Sequence, residues 1–292
     1  DAGEDMHARV VWGITVLAPA AVMAIVYVFT NRYSTILALG LDVAVLYLTL
    51  GFRQFSHHFT DIRDALEAGR EDRARELLAH WQNLDASELP RTEILRHVLE
   101  YSLLAAHRHV FGVFFWFVAL SSLGLGPAGA VLYRMAEFAS RYWSYRSQVT
   151  GVSTHDRLMS LSQTLFALVD HVPARLTAFG FAVVGNFEDA VDAWRRHAVL
   201  WVRPNEGTIL SAASGALGVR LGGQVAPTTD GARDVSRTIT QGDAPDVIEA
   251  QGSTAGAPPQ MAHLRSVVGL IWRSVVLWML LLALLSLANL IG

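Results

Sequence analysis

The stretch Val10–Phe29, "VVWGITVLAPAAVMAIVYVF", decides the fold, because it is apolar throughout and carries no charged side chain. An α-helix rises about 1.5 Å per residue, so about 20 apolar residues cross the hydrocarbon core of a bilayer. Pro19 lies inside the stretch, and membrane helices tolerate an internal proline better than soluble helices do. Val10–Phe29 therefore predicts a transmembrane helix.

Two further stretches have the same character. Thr35–Phe52, "TILALGLDVAVLYLTLGF", predicts a second transmembrane helix that contains Asp42. A carboxylate at that depth is costly and usually faces protein or water, so we expect Asp42 to pair with an inner arginine. Val267–Ile291 predicts a third transmembrane helix, and Arg273 lies near enough to its start to reach the interface.

The middle of the chain contains apolar segments that are interrupted. Val110–Tyr133 is broken by "GLGPAG", and Leu161–Val184 carries Asp170, Pro173 and Arg175 near its centre. Broken or charged segments persist at membrane depth only where they are buried in protein or line a wet cavity. These segments are therefore expected to be packed inner helices or the walls of a site.

The composition excludes several classes of protein. Hydrophobic residues make up 52% of the chain and charged residues only 17%, which is too apolar for an ordinary soluble protein. The absence of cysteine excludes disulfides and zinc–thiolate sites, and the absence of lysine excludes a P-loop lysine or a Schiff base. The net charge of −3 gives no indication of a nucleic-acid surface.

Arginines predict the orientation. The regions Arg53–Arg108 and Arg195–Arg265 are both rich in arginine, and the positive-inside rule places both in the cytoplasm. The N-terminus would then be cytoplasmic and the C-terminus external. Arg134 and Arg157 fit this scheme if the two middle segments re-enter the membrane rather than cross it, and both topologies remain open. The chain begins at Asp1 without a methionine, so the native N-terminus also remains open, and no signal peptide is expected in the printed sequence.

The predicted fold class is all-α: a polytopic integral membrane protein with a small cytoplasmic helical unit. Within that unit, Asp61–Asn83 reads as two short helices joined at Gly69. Gly215–Gln260 is rich in small and polar residues and predicts a flexible loop. The expected organisation is two transmembrane helices in 1–52, a cytoplasmic helical segment in 53–109, broken hydrophobic helices in 110–200, a flexible cytoplasmic loop in 201–266 and a C-terminal transmembrane helix in 267–292.

The stretch Gly51–Ile62, "GFRQFSHHFTDI", follows the second predicted span and combines aromatic with ionisable residues. It is either an interfacial anchor or part of a site. His57 and Asp61 are four residues apart and would share one helix face, and Arg53 and Gln54 could bind an anion beside them. No metal site is predicted, because adjacent histidines diverge on a helix.

Two short motifs resemble a known family. Gly126–Arg134, "GPAGAVLYR", and Pro173–Thr177, "PARLT", resemble the CobD/CbiB membrane proteins of cobalamin biosynthesis, and Ala65–Leu78 resembles a helical segment of the same proteins. The resemblance covers about Asp61 to Trp194 and is strongest at the two motifs. The whole chain resembles a proteobacterial branch of the family that is also similar to the AmpE regulatory membrane proteins.

The resemblance implies a multi-pass protein of the bacterial inner membrane that forms an amide between a corrinoid carboxylate and an aminopropanol derivative, with ATP and Mg²⁺ as cofactors. A corrinoid or another anionic small molecule, together with the lipid bilayer, would be the partner. The sequence departs from the family at several acidic positions: Leu104 and Arg108 stand where acids are expected, and Glu137 and Asp170 are the related acids that remain. A catalytic protein and a non-catalytic AmpE-like sensor or regulator are both retained as hypotheses.

The arginines of the two motifs, Arg134 and Arg175, have two interpretations. They bind a phosphate or carboxylate through their planar donors, or they pair with inner acids such as Asp170 and Glu137 and stabilise packing. We predict that both serve one anion-binding cleft, with His57 and Asp61 at its rim.

Overall fold

The computed structural model describes residues 2–50, 52–82, 85–150, 153–223 and 252–291, and the side chains of these except 2–5, 52–56, 147–150, 153–155 and 285–291. Helices form nearly all of this part of the chain. They are α1 Ala2–Tyr33, α2 Thr35–Thr49, α3 Phe52–Glu67, α4 Glu71–Gln82, α5 Arg91–Ala106, a π-helix His107–Phe111, α6 Gly112–Ser121, α7 Ala128–Thr150, α8 Ser153–Val169, α9 His171–Val184, α10 Phe187–His197, a 3₁₀ turn Ala198–Leu200, α11 Pro204–Leu217 and α12 Met261–Ile291.

Three helical stretches are long and apolar enough to cross a membrane: Met6–Tyr33, Arg91–Ser121 and Met261–Leu284. The pair Asp156–Val169 and His171–Val184 passes the same test together, with a break at Asp170. The predicted all-α, polytopic membrane fold is thereby confirmed, and two of these stretches coincide with the first and last predicted spans. Arg91–Ser121 is the most buried of the three and is therefore the inner span. Within its most apolar 18 residues, 56% are buried in protein, compared with 11% for Met6–Tyr33 and 22% for Met261–Leu284.

Two sequence predictions for these segments need correction. The predicted second transmembrane helix is α2, which is only 15 residues long and shorter than a span. Residues 91–109, expected in the cytoplasm, belong to the inner span. Charged side chains at Arg96, Glu100 and Arg108 concealed this span from inspection of the sequence, and all three are buried in protein.

The chain forms two compact units. One contains the described parts of 2–52 and 108–173. In it, α1 and α2 form a hairpin in which the Ser34 hydroxyl accepts a hydrogen bond from Leu37 N and caps α2. Helix α1 also packs against α7 and α8 around Trp12, Val16 and Ala136. This packing holds α7 in place, and α7 carries Arg134, Glu137 and Arg141.

The second unit contains the described parts of 53–107, 174–223 and 252–291. Helices α3 and α4 meet at Gly69, whose φ of 70° lies in the left-handed region, so the two predicted short helices are confirmed. Ile62 and Leu66 on α3 and Leu78 on α4 are fully buried. Helix α5 packs against α4, α11 and α12.

The loop predicted for residues 201–266 is wrong at 204–217 and 261–266, where the chain is helical. Pro204–Leu217 forms α11, whose residues are almost all buried, and Val219 and Gly222 form isolated bridges with Ala257 and Ser253. The small residues that suggested a loop permit close packing instead: a side chain at Gly215 would collide with the backbone of Asp189. The centre of the predicted loop, 224–251, lies outside the described residues.

Candidate functional site

The first unit contains a buried ionic cluster on α7. Glu137 is 1% exposed, and its Oε2 accepts hydrogen bonds from Arg134 Nη1 at 3.1 Å and Arg141 Nη2 at 3.2 Å. Arg141 Nε lies 2.6 Å from Glu137 Oε1, close enough for an ion pair although the atoms are not aligned for a hydrogen bond. Residues 134, 137 and 141 are three and four apart and therefore share one face of the helix.

The cluster extends to the π-helix. Arg134 Nη1 is 2.9 Å from His109 Nδ1. Since arginine has donors only, Nδ1 of His109 must accept, and the proton of the neutral ring is then on Nε2. A π-helical turn is rare and often occurs at functional sites. Here it contains Arg108 and His109, and Arg108 is only 5% exposed.

The second acid of this unit is Asp170, which ends α8. It is 4% exposed and accepts a hydrogen bond of 2.7 Å from the hydroxyl of Tyr133. Trp116 Nε1 donates to the carbonyl of the preceding residue, Val169, at 3.1 Å. The break between α8 and α9 is therefore held by side chains from α6 and α7.

The glycines of the motif Gly126–Arg134 allow these contacts. Gly126 has a φ of 56° and lies against the ring of Tyr27, so a side chain there would be strained and would collide. A Cβ at Gly129 would collide with the carbonyl oxygen of Trp116. The motif thus brings α7 close enough to α6 to place Tyr133 and Arg134.

The second motif belongs to the second unit from Ala174 onwards. Arg175 Nη1 donates to Asn205 Oδ1 at 3.2 Å, and Thr177 Oγ1 lies 2.9 Å from His107 Nδ1. Asn205 is in the first turn of α11, where Pro204 occupies the first helical position and Arg203 pairs with Glu206 at 3.0 Å. Arg175 is therefore aimed at the N-terminus of a buried helix, where backbone N–H groups favour an anion.

A third polar group in this unit was missed by the sequence analysis. Glu100 is fully buried and accepts two hydrogen bonds of 3.1 Å from Arg96 and one of 2.6 Å from the backbone N–H of Gly222. Arg96 also pairs with Glu93. The spacing of Glu93, Arg96 and Glu100 could have indicated this group. An acid, a base and an acid at i, i+3 and i+7 lie on one helix face and can pair there, even in an apolar run.

The residues flanking 224–251 are held close to this group. Gly223 N donates to Gly252 O at 3.1 Å, and Thr254 Oγ1 accepts from Leu221 N at 2.8 Å. Ser214 Oγ donates to the carbonyl oxygen of Val219 at 2.7 Å. The contacts of Gly223 with Gly252 and of Leu221 with Thr254 join positions more than 25 residues apart, and no local pattern in the sequence indicated them.

The remaining predicted site residues lie on α3. His57 and Asp61 are exposed and one turn apart, as the spacing predicted. The side chains of Arg53 and Gln54 lie outside the described residues. Phe59, in the stretch interpreted as either an interfacial anchor or part of a site, is 5% exposed and belongs to the core of the unit. In the described residues, the Asp42 Oδ1 atom makes no hydrogen bond, so its expected pairing with an arginine is not seen.

The predicted anion-binding cleft involves both units. Arg134, Glu137 and Asp170 belong to the first, and Arg175, His57 and Asp61 belong to the second. Within each unit, an arginine of a family motif has an identified hydrogen-bonding partner. That the two arginines serve one cleft stays a prediction.

The acids present do not fit a magnesium site. Within the described part of the chain, no three His, Asp or Glu side chains are grouped closely enough to hold a metal ion. Both oxygens of Glu137 face arginines, and Asp170 accepts from Tyr133. We therefore derive no chemical step from Mg²⁺ bound to these residues.

Comparison with known proteins identifies the family. The family model described as CobD/Cbib protein matches residues 2–250. A cobalamin biosynthesis protein CobD from Stutzerimonas stutzeri is 30% identical over 242 residues, which cover 82% of this chain and 71% of that protein. One of the same name from Chromobacterium violaceum is 31% identical over 221 residues, 74% of this chain and 68% of that protein.

A more distant relative of the same name, from Leptospira interrogans, is 26% identical over 201 residues, covering 67% of this chain and 60% of that protein. No solved structure matches the chain. The family match extends well beyond the two motifs, to both the α7 cluster and the buried helix α11. The chain belongs to the CobD/Cbib protein family.

Proposed function

We propose that this chain acts in cobalamin biosynthesis in the bacterial inner membrane, where it joins a corrinoid carboxylate to an aminopropanol derivative through an amide bond. Family membership, with relatives named as cobalamin biosynthesis proteins over most of their length, carries the proposal. The substrate and the reaction follow the resemblance of the two motifs. The predicted orientation, with the helical unit α3–α4 in the cytoplasm, would give the site access to ATP.

The chemistry requires groups that bind anions. A carboxylate becomes reactive toward an amine when ATP transfers a phosphoryl group to its oxygen. The amine nitrogen then attacks the acyl carbon, phosphate leaves with that oxygen, and a base takes the amine proton. Arginine suits both the phosphate and the carboxylate because its planar donors bind two oxygens at once.

The two motif arginines fit this requirement in different ways. Arg175 is half-buried and aimed at the N-terminus of α11, so an anion there would receive both the guanidinium and the backbone dipoles. Arg134 holds Glu137 and His109 and so fixes the arrangement of the polar groups on α7 and the π-helix. We assign Arg175 to anion binding and Arg134 to positioning Glu137 and His109.

Corrinoid binding tests the proposal. Corrinoids absorb visible light, so equilibrium binding to the detergent-purified protein is measured directly, and amide formation with ATP is followed by mass spectrometry. We expect the unaltered protein to bind the corrinoid and Arg175→Lys to bind it more weakly while melting normally, since lysine keeps the charge and loses the planar fork. Arg196→Lys, at an exposed ion pair on α10, is the matched control and should change neither quantity.

Two results would contradict the assignments. Failure of the unaltered protein to bind any corrinoid refutes the proposed function. An Arg175→Lys protein with a lower melting temperature and unchanged affinity shows that Arg175 is structural.

A non-catalytic regulator similar to AmpE is the second candidate. The observation that favours it is the state of Glu137, whose oxygens are both engaged by arginines in the manner of a structural ion pair. Corrinoid binding without any amide product, in the presence of ATP and the amine, would support this candidate over the enzyme.

A further inference from the structure

Helix α9 presents an apolar stripe that no described element covers. Leu176, Phe179 and Val183 are spaced three and four residues apart, and each is at least 36% exposed. The other side of α9 packs inside the unit, where a Cβ at Gly180 would lie 3.6 Å from Trp278 Nε1 on the span α12. The exposed stripe therefore belongs to a helix packed on a membrane span and is placed to face lipid.

The stripe continues beyond the end of α9. The rings of Phe179 and Phe187 lie 6.3 Å apart, edge to face, and Phe187 begins α10. The turn after α10 then exposes Val199 and Leu200, which are 81% and 53% accessible. The apolar surface of a membrane helix thus continues onto the start of α10, and the turn after α10 exposes two further apolar side chains.

Helix α10 is itself amphipathic in three sectors. Ala190 is fully buried and lies against Gly215 of α11. Phe187 projects to a second, apolar sector. Glu188, Asp192 and Arg196 follow one another at every fourth residue and form a charged sector, in which Asp192 and Arg196 make an exposed ion pair of 2.8 Å. One side of α10 thus faces protein, one is apolar and exposed, and one is charged.

The position of α10 along the span agrees with a membrane boundary. Asn186, which caps α10, donates its backbone N–H to Ala216 O near the end of α11. Val219, just beyond α11, is bridged to Ala257, four residues before α12 begins at Met261. The start of α10 is therefore linked, through the end of α11, to the segment that leads into the span α12, and an amphipathic helix beside a membrane boundary meets the headgroups.

We propose that α10 and the turn 198–202 lie flat in the membrane interface. Phe187, Val199 and Leu200 insert among the acyl chains of the lipid, and the sector formed by Glu188, Asp192 and Arg196 faces water. Continuity with the lipid-facing stripe of α9 is the reason that lipid, rather than another protein, is assigned as the occupant. This assignment does not depend on the reaction that the chain performs.

Site-directed spin labelling of the whole chain tests the proposal. The sequence contains no cysteine, so each single-cysteine variant carries one label. Leu200→Cys is labelled and reconstituted in phosphatidylcholine vesicles, and collisions of the label with oxygen, which concentrates in lipid, are compared with collisions with a water-soluble nickel chelate. Glu188→Cys, on the charged sector of the same helix, is the matched control.

The label at 200 is expected to collide preferentially with oxygen and the label at 188 preferentially with nickel. Preference for nickel at 200 would overturn the proposal. A second pattern would also overturn it: the label at 200 is protected from both reagents, and its spectrum shows spin–spin broadening that disappears on dilution with unlabelled protein. That pattern shows that a second copy of the chain covers the surface. Val199→Cys repeats the measurement at the most exposed position if Leu200→Cys fails to fold.

Discussion

Glu137→Gln is the most direct test of the ionic cluster on α7. The substitution keeps the shape of the side chain and removes the charge that neutralises Arg134 and Arg141. Each charge-assisted hydrogen bond contributes about 1.5–3 kcal/mol, and removing one partner of a fully buried ion pair costs about 3–5 kcal/mol. The cost here should be smaller than that of a fully buried pair, because the two arginine side chains are 21% and 28% exposed and recover some hydration.

We therefore expect Glu137→Gln to lower the free energy of unfolding by about 2–4 kcal/mol. For a chain of this size, that corresponds to a melting temperature lower by on the order of 4–8 °C. The measurement is thermal unfolding of the detergent-purified protein, followed by circular dichroism. Glu188→Gln, which removes an exposed carboxylate from α10, is the control and should change the free energy of unfolding by less than about 0.5 kcal/mol.

A double-mutant cycle separates the ion pair from general damage to the fold. Arg141→Gln should destabilise the unaltered protein more than it destabilises the Glu137→Gln protein, because the charge it pairs with is absent from the latter. If Glu137→Gln melts within about 1 °C of the unaltered protein, a shift equivalent to less than about 0.5 kcal/mol, the cluster does not stabilise the fold. Equal effects of Arg141→Gln in both backgrounds would show that residues 137 and 141 are not coupled.

Three further predictions concern the packing within each unit. Glu100→Gln removes the buried carboxylate that pairs with Arg96 and should lower the free energy of unfolding by about 3–5 kcal/mol, measured by the same melts. A loss no larger than that of Glu93→Gln, whose side chain is 39% exposed, would contradict this expectation. Gly129→Ala forces a Cβ against the backbone of α6 and should cost about 1–3 kcal/mol, whereas an unchanged melting temperature would show that α7 shifts freely. Replacing 224–251 by Asn-Gly should preserve the melting temperature, because Gly223 and Gly252 are hydrogen-bonded across the gap and a two-residue turn closes such a pair; a large loss of stability would show that the segment contributes to the fold.

The sequence by itself determined the class of the protein and its terminal spans. A continuous apolar run has only one stable structure in a bilayer, a helix that satisfies its own backbone, so composition and run length were enough for α1 and α12. The helix pair α3–α4 was equally local, since a turn depends on residues a few positions apart. The two motifs likewise identified the family.

Only the tertiary structure decided which charged residues are buried and with what partners. Arg96 and Glu100 lie in a segment that the arginine pattern assigned to the cytoplasm, and α5 became an inner span because these two charges pair with each other inside the protein. Small residues in α11 read as a loop and proved to be a close helix contact. Pairing between Glu100 and Gly222, 122 positions apart, is fixed by packing alone, because a local pattern carries no information about a partner so distant along the chain.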